Sequence, residues 1–404
     1  MIKHLRRHED FNFYLASKLV TALGTLCITG LVSRSLGPEA FGFLMSASVI
    51  ALILAAILDG NMTARCISQW HNDQPGFPAW LTHAIVLRVA IGALCSVLLL
   101  SICLLKKGDP YLVFAAGWCL LLVFQPFRML EVRLIASEDF KLLARASLWS
   151  CLAILLLAAV LFSAGWTKRT WVCLGLLLLP VLGSSPYLVF VKKHLKRTAT
   201  PIRGGSLRQE AAITFSFGTT QGLSMLMDSI PYLVIPRLYG QLTMGWYAAA
   251  SKLIQTYTQG IALLIPYVLT KLSRDRKGRA INYCLFSLML GLVCFFGFIL
   301  FGTQAIGVIN GAAFRKAGTL LLPLAGLIIS IPLGQLCMGM AGITSKPRLP
   351  FLTVSTTFLL LGLFYVLFQP ATVHGFLAAY SISILATTVW LSFLLFGGRP
   401  RGEG

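Results

Sequence analysis

Acidic side chains are scarce in this sequence: 13 Asp and Glu among 404 residues, against 34 Lys and Arg. Charge of either sign reaches only 12%, about half of the roughly 25% that a water-soluble domain carries. Apolar residues make up 57% and the mean hydropathy is +0.81, so a soluble globule would be left with an adhesive surface. These figures exclude a soluble domain and point into a bilayer. No Cys-x-x-Cys pair occurs, and the ten cysteines all lie in apolar stretches. They are expected to be small buried hydrophobes rather than disulfides or metal ligands. HExxH, Walker A and GxGxxG signatures are absent, and the six histidines lack ligand spacing, so no catalytic residue, cofactor or metal is expected. The net charge of +21 has no soluble domain to bring it to nucleic acid. It is the Lys/Arg bias of loops beside an anionic cytoplasmic leaflet.

What the chain does have is apolar length. Twelve segments lie between charged or Pro/Gly breaks: 13–33, 43–67, 82–104, 111–134, 145–165, 171–191, 211–236, 246–270, 281–304, 317–341, 351–369 and 376–397. Each is close to the ~20 residues that cross a hydrocarbon core as a helix. The first follows basic residues but lacks a small-residue cleavage site, so it is expected to be a retained span. Alternate gaps divide the cations unequally, 21 on one side and 8 on the other, which places both termini in the cytoplasm. The longest gap lies near 192–210, too short for an extramembrane domain.

A shift of 203 residues superposes the two halves. Arg34, Gly37, Gly42, Ala47 and Ser48 fall on Arg237, Gly240, Gly245, Ala250 and Ser251. Six spans separate the copies, an even number, so the repeat is parallel and its axis runs along the membrane normal. The expected fold is an all-α polytopic membrane protein with about 12 transmembrane helices. They form two parallel-repeat six-helix lobes, 1–198 and 199–404, around a central cavity.

Polar residues mark candidate lining faces. Lys18, Thr21, Thr25, Thr29 and Ser33 recur every three or four residues in the first span, and Gln221, Ser224 and Asp228 do so in the seventh. Each set forms one helical stripe. Such stripes line a cavity or hold packed helices together; for Lys18 and Asp228 the cavity reading is favoured, because an ionisable group at a span centre is costly. In the eighth span Lys252, Gln255, Thr256 and Gln259 make another face. Arg65 and Arg88 suit snorkelling to the interface, while Arg128 either does the same, beside Glu131, or faces the cavity. Asp228 precedes Pro231 and Pro236, which mark the seventh span as a hinge or broken helix. There Asp228 serves either as a proton or cation site or as an ion-pair partner of Lys18 or Lys252. A cationic face rich in hydroxyls and amides suits an anionic, polyhydroxylated solute. Gly307-x-x-x-Gly311 lies near an outer gap and is assigned no role.

The run Arg34-Ser-Leu-Gly37-Pro38-Glu39-Ala-Phe41-Gly42, then an apolar span ending at Asp59-Gly60, resembles the polysaccharide flippases of the multidrug/oligosaccharidyl-lipid/polysaccharide exporter (MOP) superfamily, including the O-antigen (Wzx-type) flippases. Asp228, Gly240, Gly245-Trp-Tyr247, Lys252 and Gly311-Ala-Ala-Phe314 agree with the family in the second half. The chain departs from it at Asp59-Gly60-Asn61, where the family often has Asp-x-Gly.

The resemblance implies a bacterial inner-membrane flippase. It would move an undecaprenyl-diphosphate-linked oligosaccharide from the cytoplasmic to the outer leaflet by alternating access, for O-antigen, capsule or exopolysaccharide assembly. Membrane lipids, a polysaccharide polymerase and chain-length proteins are the expected partners. Lys18, Thr25, Arg65, Arg128, Gln221, Lys252 and Gln255 are the candidate substrate contacts, with Asp59 and Asp228 as coupling or counter-ion residues. A multidrug/cation antiporter of the related branch is the alternative, although its pocket should be acidic. A membrane-embedded polymerase is disfavoured by the short outer gaps.

Overall fold

The computed structural model of the chain describes residues 2–59, 76–105, 140–163, 222–274, 280–343 and 348–396, with Val123 and Leu134. Regular structure among these residues is entirely helical. In chain order the elements are α1 (Ile2–Asp59), α2 (Phe77–Leu105), α3 (Phe140–Ser163), α4 (222–238), α5 (Gln241–Arg274) and α6 (Ala280–Asn310). A 3₁₀ helix (Ala312–Leu320), α7 (Ala325–Ile343), α8 (Arg348–Phe368) and α9 (Val373–Phe396) follow. Five stretches among the described residues are long and apolar enough to cross a membrane: Leu19–Ser46, Phe77–Leu98, Cys284–Asn310, Phe351–Phe368 and Val373–Leu395. The 3₁₀ helix and the start of α7, bent by 71° to one another, qualify together as a sixth.

The gaps are narrower than hydropathy suggests. Between the first two expected spans only Gly37 leaves helical geometry, at φ 74° and ψ 170°. Its positive φ suits the residue just past a helix end, and Pro38 suits the first position of the next helix, where its missing N–H breaks no bond. The second copy repeats the device, since Gly240 at φ 86° ends the turn after α4 and α5 begins at Gln241. Polar letters interrupted the apolar pattern at both places without interrupting the helices by more than one or two residues.

The seventh span corrects an expectation. Residues 222–238 form one uninterrupted helix through Pro231 and Pro236, so no break is found at these prolines; the start of the span, 211–221, lies outside the described residues. Each proline removes only one i→i−4 bond, and the remaining turns carry the helix across.

The chain divides into two compact units, Met1–Ile28 with Leu44–Ser229, and Thr29–Phe43 with Ile230–Gly404. The expected boundary at 198/199 lies outside the described residues. In the first unit, Arg88 corrects a second expectation. It is 1% exposed and does not snorkel. Its Nε donates to the Leu58 carbonyl at 2.8 Å, in the last turn of α1, and its Nη1 to the Ala84 carbonyl at 3.2 Å. Terminal carbonyls lack intrahelical donors and carry the negative end of the helix dipole, which makes a guanidinium a fitting cap. On the same two helices Ala55 and Leu58 pack with Leu54, Ile91 and Cys95. Gly24 makes room for α3: a Cβ there would stand 2.9 Å from Cys151 Sγ. Cys151 and Cys337 are buried as expected, but Cys27 is exposed, beside the exposed apolar Val20, Leu23 and Leu31. It is a small residue on an apolar outer face.

In the second unit α7 packs against α5, α6 and α9, and α8 against α9. Lipid tails are as apolar as leucine, so helices in a bilayer associate through close backbone approach and interhelical hydrogen bonds. Both devices occur here. A Cβ on Gly291 would stand 2.7 Å from the Ile329 carbonyl, and one on Gly326 2.8 Å from that of Ser381. Ser381 Oγ donates to the Pro323 carbonyl at 2.6 Å, and the Thr357 and Thr387 hydroxyls meet at 2.8 Å between α8 and α9. Phe286, Met289, Val293, Phe296 and Leu300 are exposed on α6, an apolar stripe fit for lipid.

Residues 29–43 join this unit at the helix breaks. Phe41 meets Phe314 edge-on at 5.9 Å, Asn310 Nδ2 donates to Ser33 Oγ at 2.8 Å, and Gly42 and Gly245 abut the backbone at Gln241 and Pro38 respectively. Tyr239 donates to the Pro370 carbonyl at 2.7 Å, and Trp246 Nε1 to that of Ala313 at 3.2 Å. Four of the gaps assigned to one side of the membrane, around residues 37, 240, 311 and 370, thus lie at one end of the unit.

Candidate functional site

The polar face of α5 emerges from a tightly packed beginning. Ala248, Ala249 and Ala250 are buried, small residues that bring α5 close to its neighbours. Beyond them Lys252, Gln255 and Gln259 follow at i, i+3 and i+7, one helical face. Gln255 and Gln259 are exposed and Lys252 is half-buried. Thr256 and Thr258 donate to the carbonyls of Lys252 and Ile254 at 3.0 and 2.9 Å. Their protons are committed to their own helix, so the face offers one ammonium and two amides as donors. The Lys252 ammonium makes no hydrogen bond or ion pair among the described residues.

Tyr232 of α4 ties this face to the neighbouring helix, and the sequence reading missed it. Its buried phenol donates to Ser251 Oγ at 2.7 Å and accepts from Gln255 Nε2 at 3.5 Å. Tyr247 packs edge-on against the ring, with centroids 5.1 Å apart. A phenol bridging a hydroxyl and an amide fixes the position of Gln255 while leaving its side chain exposed. A lone tyrosine within an apolar span breaks no hydropathy pattern, and the 19 residues between Tyr232 and Ser251 match no helical period. Only the fold joins them.

The stripe read in the first span divides between the units. Thr21 and Thr25 donate to the carbonyls of Ser17 and Thr21 at 2.8 and 2.9 Å, with Thr25 exposed. Ser33 is fully buried and bonded to the Gly30 carbonyl and Asn310, so at this position the stripe holds helices together. Asp228 is exposed on α4 between buried Met227 and Ser229. Arg65, Arg128 and Gln221 lie outside the described residues, as do the side chains of Lys18 and Asp59. The structure therefore brings together two of the expected substrate contacts, Lys252 and Gln255, and adds Tyr232 and Ser251. Among the described residues no group of His, Cys, Asp and Glu could hold a metal ion.

No protein-family model matches the sequence, and no curated protein matches it by sequence. Solved structures do match by shape. A MOP superfamily transporter from Pyrococcus furiosus superposes with a TM-score of 0.67 at 15% identity, over 96% of this chain and 94% of that one. A eukaryotic MATE transporter gives 0.69 at 14% identity, over 98% and 96%. The Vibrio cholerae MATE transporter VcmN, as a mutant, gives 0.68 at 13%, over 98% of both. The fold is the MOP transporter fold. Among the described residues it is all-α with several membrane-length helices, and the match extends over nearly the whole chain. The binding pocket of the Pyrococcus protein is described as reversed in polarity, suggesting a different function for that transporter.

Proposed function

We propose that this chain is a MOP-type flippase. By alternating access it carries a lipid-linked oligosaccharide across the bacterial inner membrane, with both termini cytoplasmic, and delivers it to a polysaccharide polymerase. The observation that carries the reading is the α5 face: a Lys252 ammonium with no partner among the described residues, flanked by Gln255 and Gln259, with Tyr232 holding Gln255 in place. A lysine ammonium suits a phosphate and amides suit sugar hydroxyls. Cationic drugs would instead call for carboxylates. The reversed polarity described for the Pyrococcus pocket is a precedent for a change of pocket polarity within one MOP scaffold. Lys18, Arg65 and Arg128 are further phosphate contacts in this reading, and Asp59 and Asp228 the groups that couple transport to an ion.

The deciding experiment locates the lipid-linked oligosaccharide in cells with and without the protein, using a membrane-impermeant glycan probe. Accumulation on the cytoplasmic leaflet in its absence is the expected result. An unchanged outer-leaflet pool would refute the flippase reading. In that case the exposed Asp228 on α4 becomes the starting point for a cation-antiport assay.

A further inference from the structure

Gly307 and Gly311 close the last turn of α6, the Gly311 N–H donating to the Gly307 carbonyl at 3.1 Å. Neither carries a side chain, so this turn is a bare ledge. Two arginines from distant parts of the sequence lie on it. The Cγ of Arg34 stands 3.3 Å, and its Nε 3.9 Å, from where a Cβ of Gly311 would be; the Cγ and Nε of Arg315 stand 3.4 and 3.5 Å from that of Gly307. Side chains four residues apart on a helix have Cβ atoms about 6 Å apart, so the two guanidinium stems run over one turn. Arg34 Nη2 is anchored on the Val308 carbonyl. Arg315 makes no hydrogen bond among the described residues. Beside them Lys316 Nζ sits 5.3 Å over the Trp246 ring, whose Nε1 is held by the Ala313 carbonyl.

All three cations are exposed, and no carboxylate pairs with any of them among the described residues. Glu39, five residues beyond Arg34, is exposed and makes no ion pair among the described residues. Like charges crowded on one turn repel until an anion joins them. Guanidinium forks beside an ammonium match the oxygens of a phosphate, and Arg and Trp together at span ends belong to headgroup depth. Val308 within the turn, and Phe301 seven residues before it on the same face of α6, are exposed and offer apolar surface for acyl chains.

We propose that Arg34, Arg315 and Lys316, laid around the Gly307–Gly311 turn, form a phosphate site occupied by the headgroup of an anionic membrane lipid. The site is distinct from the α5 face and does not depend on the flippase reading. Its chemistry also explains Gly307-x-x-x-Gly311, which admits arginine stems where such spacing usually admits a second helix.

The test uses the purified full chain. Retention of phosphatidylglycerol and phosphatidylcholine is compared by native mass spectrometry, with no transport readout. Phosphatidylglycerol should be held preferentially. Arg315→Gln and Lys316→Gln should each weaken it about fivefold, the share of one basic residue near a lipid surface. Arg145→Gln, an exposed cation of α3, should leave it unchanged. Arg315→Gln removes no hydrogen bond among the described residues, so folding is not at risk; Arg34→Gln, which frees the Val308 carbonyl, is secondary. Equal retention of the two lipids would overturn the proposal, as would a preference that survives both Arg315→Gln and Lys316→Gln. Inorganic diphosphate is the last arm. If it displaces the lipid stoichiometrically at equal concentration, the lipid source is wrong and free phosphate is the ligand; failure to displace supports a headgroup held with its tails.

Discussion

Gly42 and Gly245 are 203 residues apart, occupy the same position in the two copies of the repeat, and close the same contact from opposite sides. A Cβ on Gly42 would strike the Gln241 carbonyl, and a Cβ on Gly245 would strike the Pro38 carbonyl. Pro38 and Gln241 are themselves separated by 203. The contact is therefore reciprocal, each copy offering its second glycine to the first turn of the other. Internal duplication has here become a local two-fold between helix beginnings.

Gly245→Ala and Gly42→Ala should each destabilise the protein by about 1–3 kcal/mol, the usual cost of overpacking. Backbone carbonyls cannot rotate away as a side chain could. Gly260→Ala, also on α5 but with nothing within 4 Å of its Cβ position, should be neutral or gain up to about 1 kcal/mol. Thermal denaturation in detergent gives the comparison, and equal melting temperatures for Gly245→Ala and Gly260→Ala would contradict the contact.

Gly37 and Gly240 pose a different constraint. Both have open space around the Cβ position, with φ at +74° and +86°, so only backbone strain opposes a side chain. Alanine at either should cost about 1–2 kcal/mol, while asparagine, which tolerates the left-handed region, should cost less. The two positions should respond alike in the same melting assay.

Arg88→Met should lower stability by about 1.5–3 kcal/mol, because it leaves the Leu58 and Ala84 carbonyls short of a charged donor in a buried site. Arg88→Lys should restore only part of this, since one ammonium lacks the fork that reaches both. Protein yield in membranes and melting temperature will show the order wild type, lysine, methionine.

Tyr232→Phe tests the α5 face. It removes the hydroxyl that joins Ser251 to Gln255 but keeps the ring against Tyr247. Stability should fall by only about 1 kcal/mol, with transport reduced more than protein level. Lys252→Met should abolish transport at normal protein level. Full transport by both variants would remove this face from the substrate path.

The sequence disclosed the architecture well because membrane physics writes it plainly. Each span must be apolar for about 20 residues, and cations collect on one side. It disclosed Gly37 and Gly240 as a pair, since a repeat preserves positions that need a positive φ. It misjudged what surrounds them: Arg34 to Gly42 reads as a loop by polarity yet is helical but for Gly37. Arg88 looked like an interfacial cation because a lone arginine gives no hint of the Leu58 carbonyl it will meet, which belongs to a different helix. Lys252 and Gln255 were visible as a helical face. Tyr232 was not, for its role comes from a contact across α4 and α5 that no spacing encodes. Likewise Gly307 and Gly311 were legible as a spacing, but the residues lying on them, Arg34 and Arg315, were not.

Residues 29–43 complete a unit whose remainder begins at Ile230, and this sets a timetable for biogenesis. The surfaces of Pro38 and Gly42 reach the membrane about 200 residues before the α5 turn that covers them is made. At about 5–20 residues per second, the wait is roughly 10–40 seconds. Throughout it, the bare surface of Gly42 lacks the α5 turn that later closes on it. A ribosome that stalls between α3 and α5 would release a fragment without that covering turn, which makes the kink of α1 a natural point of inspection for membrane chaperones and proteases.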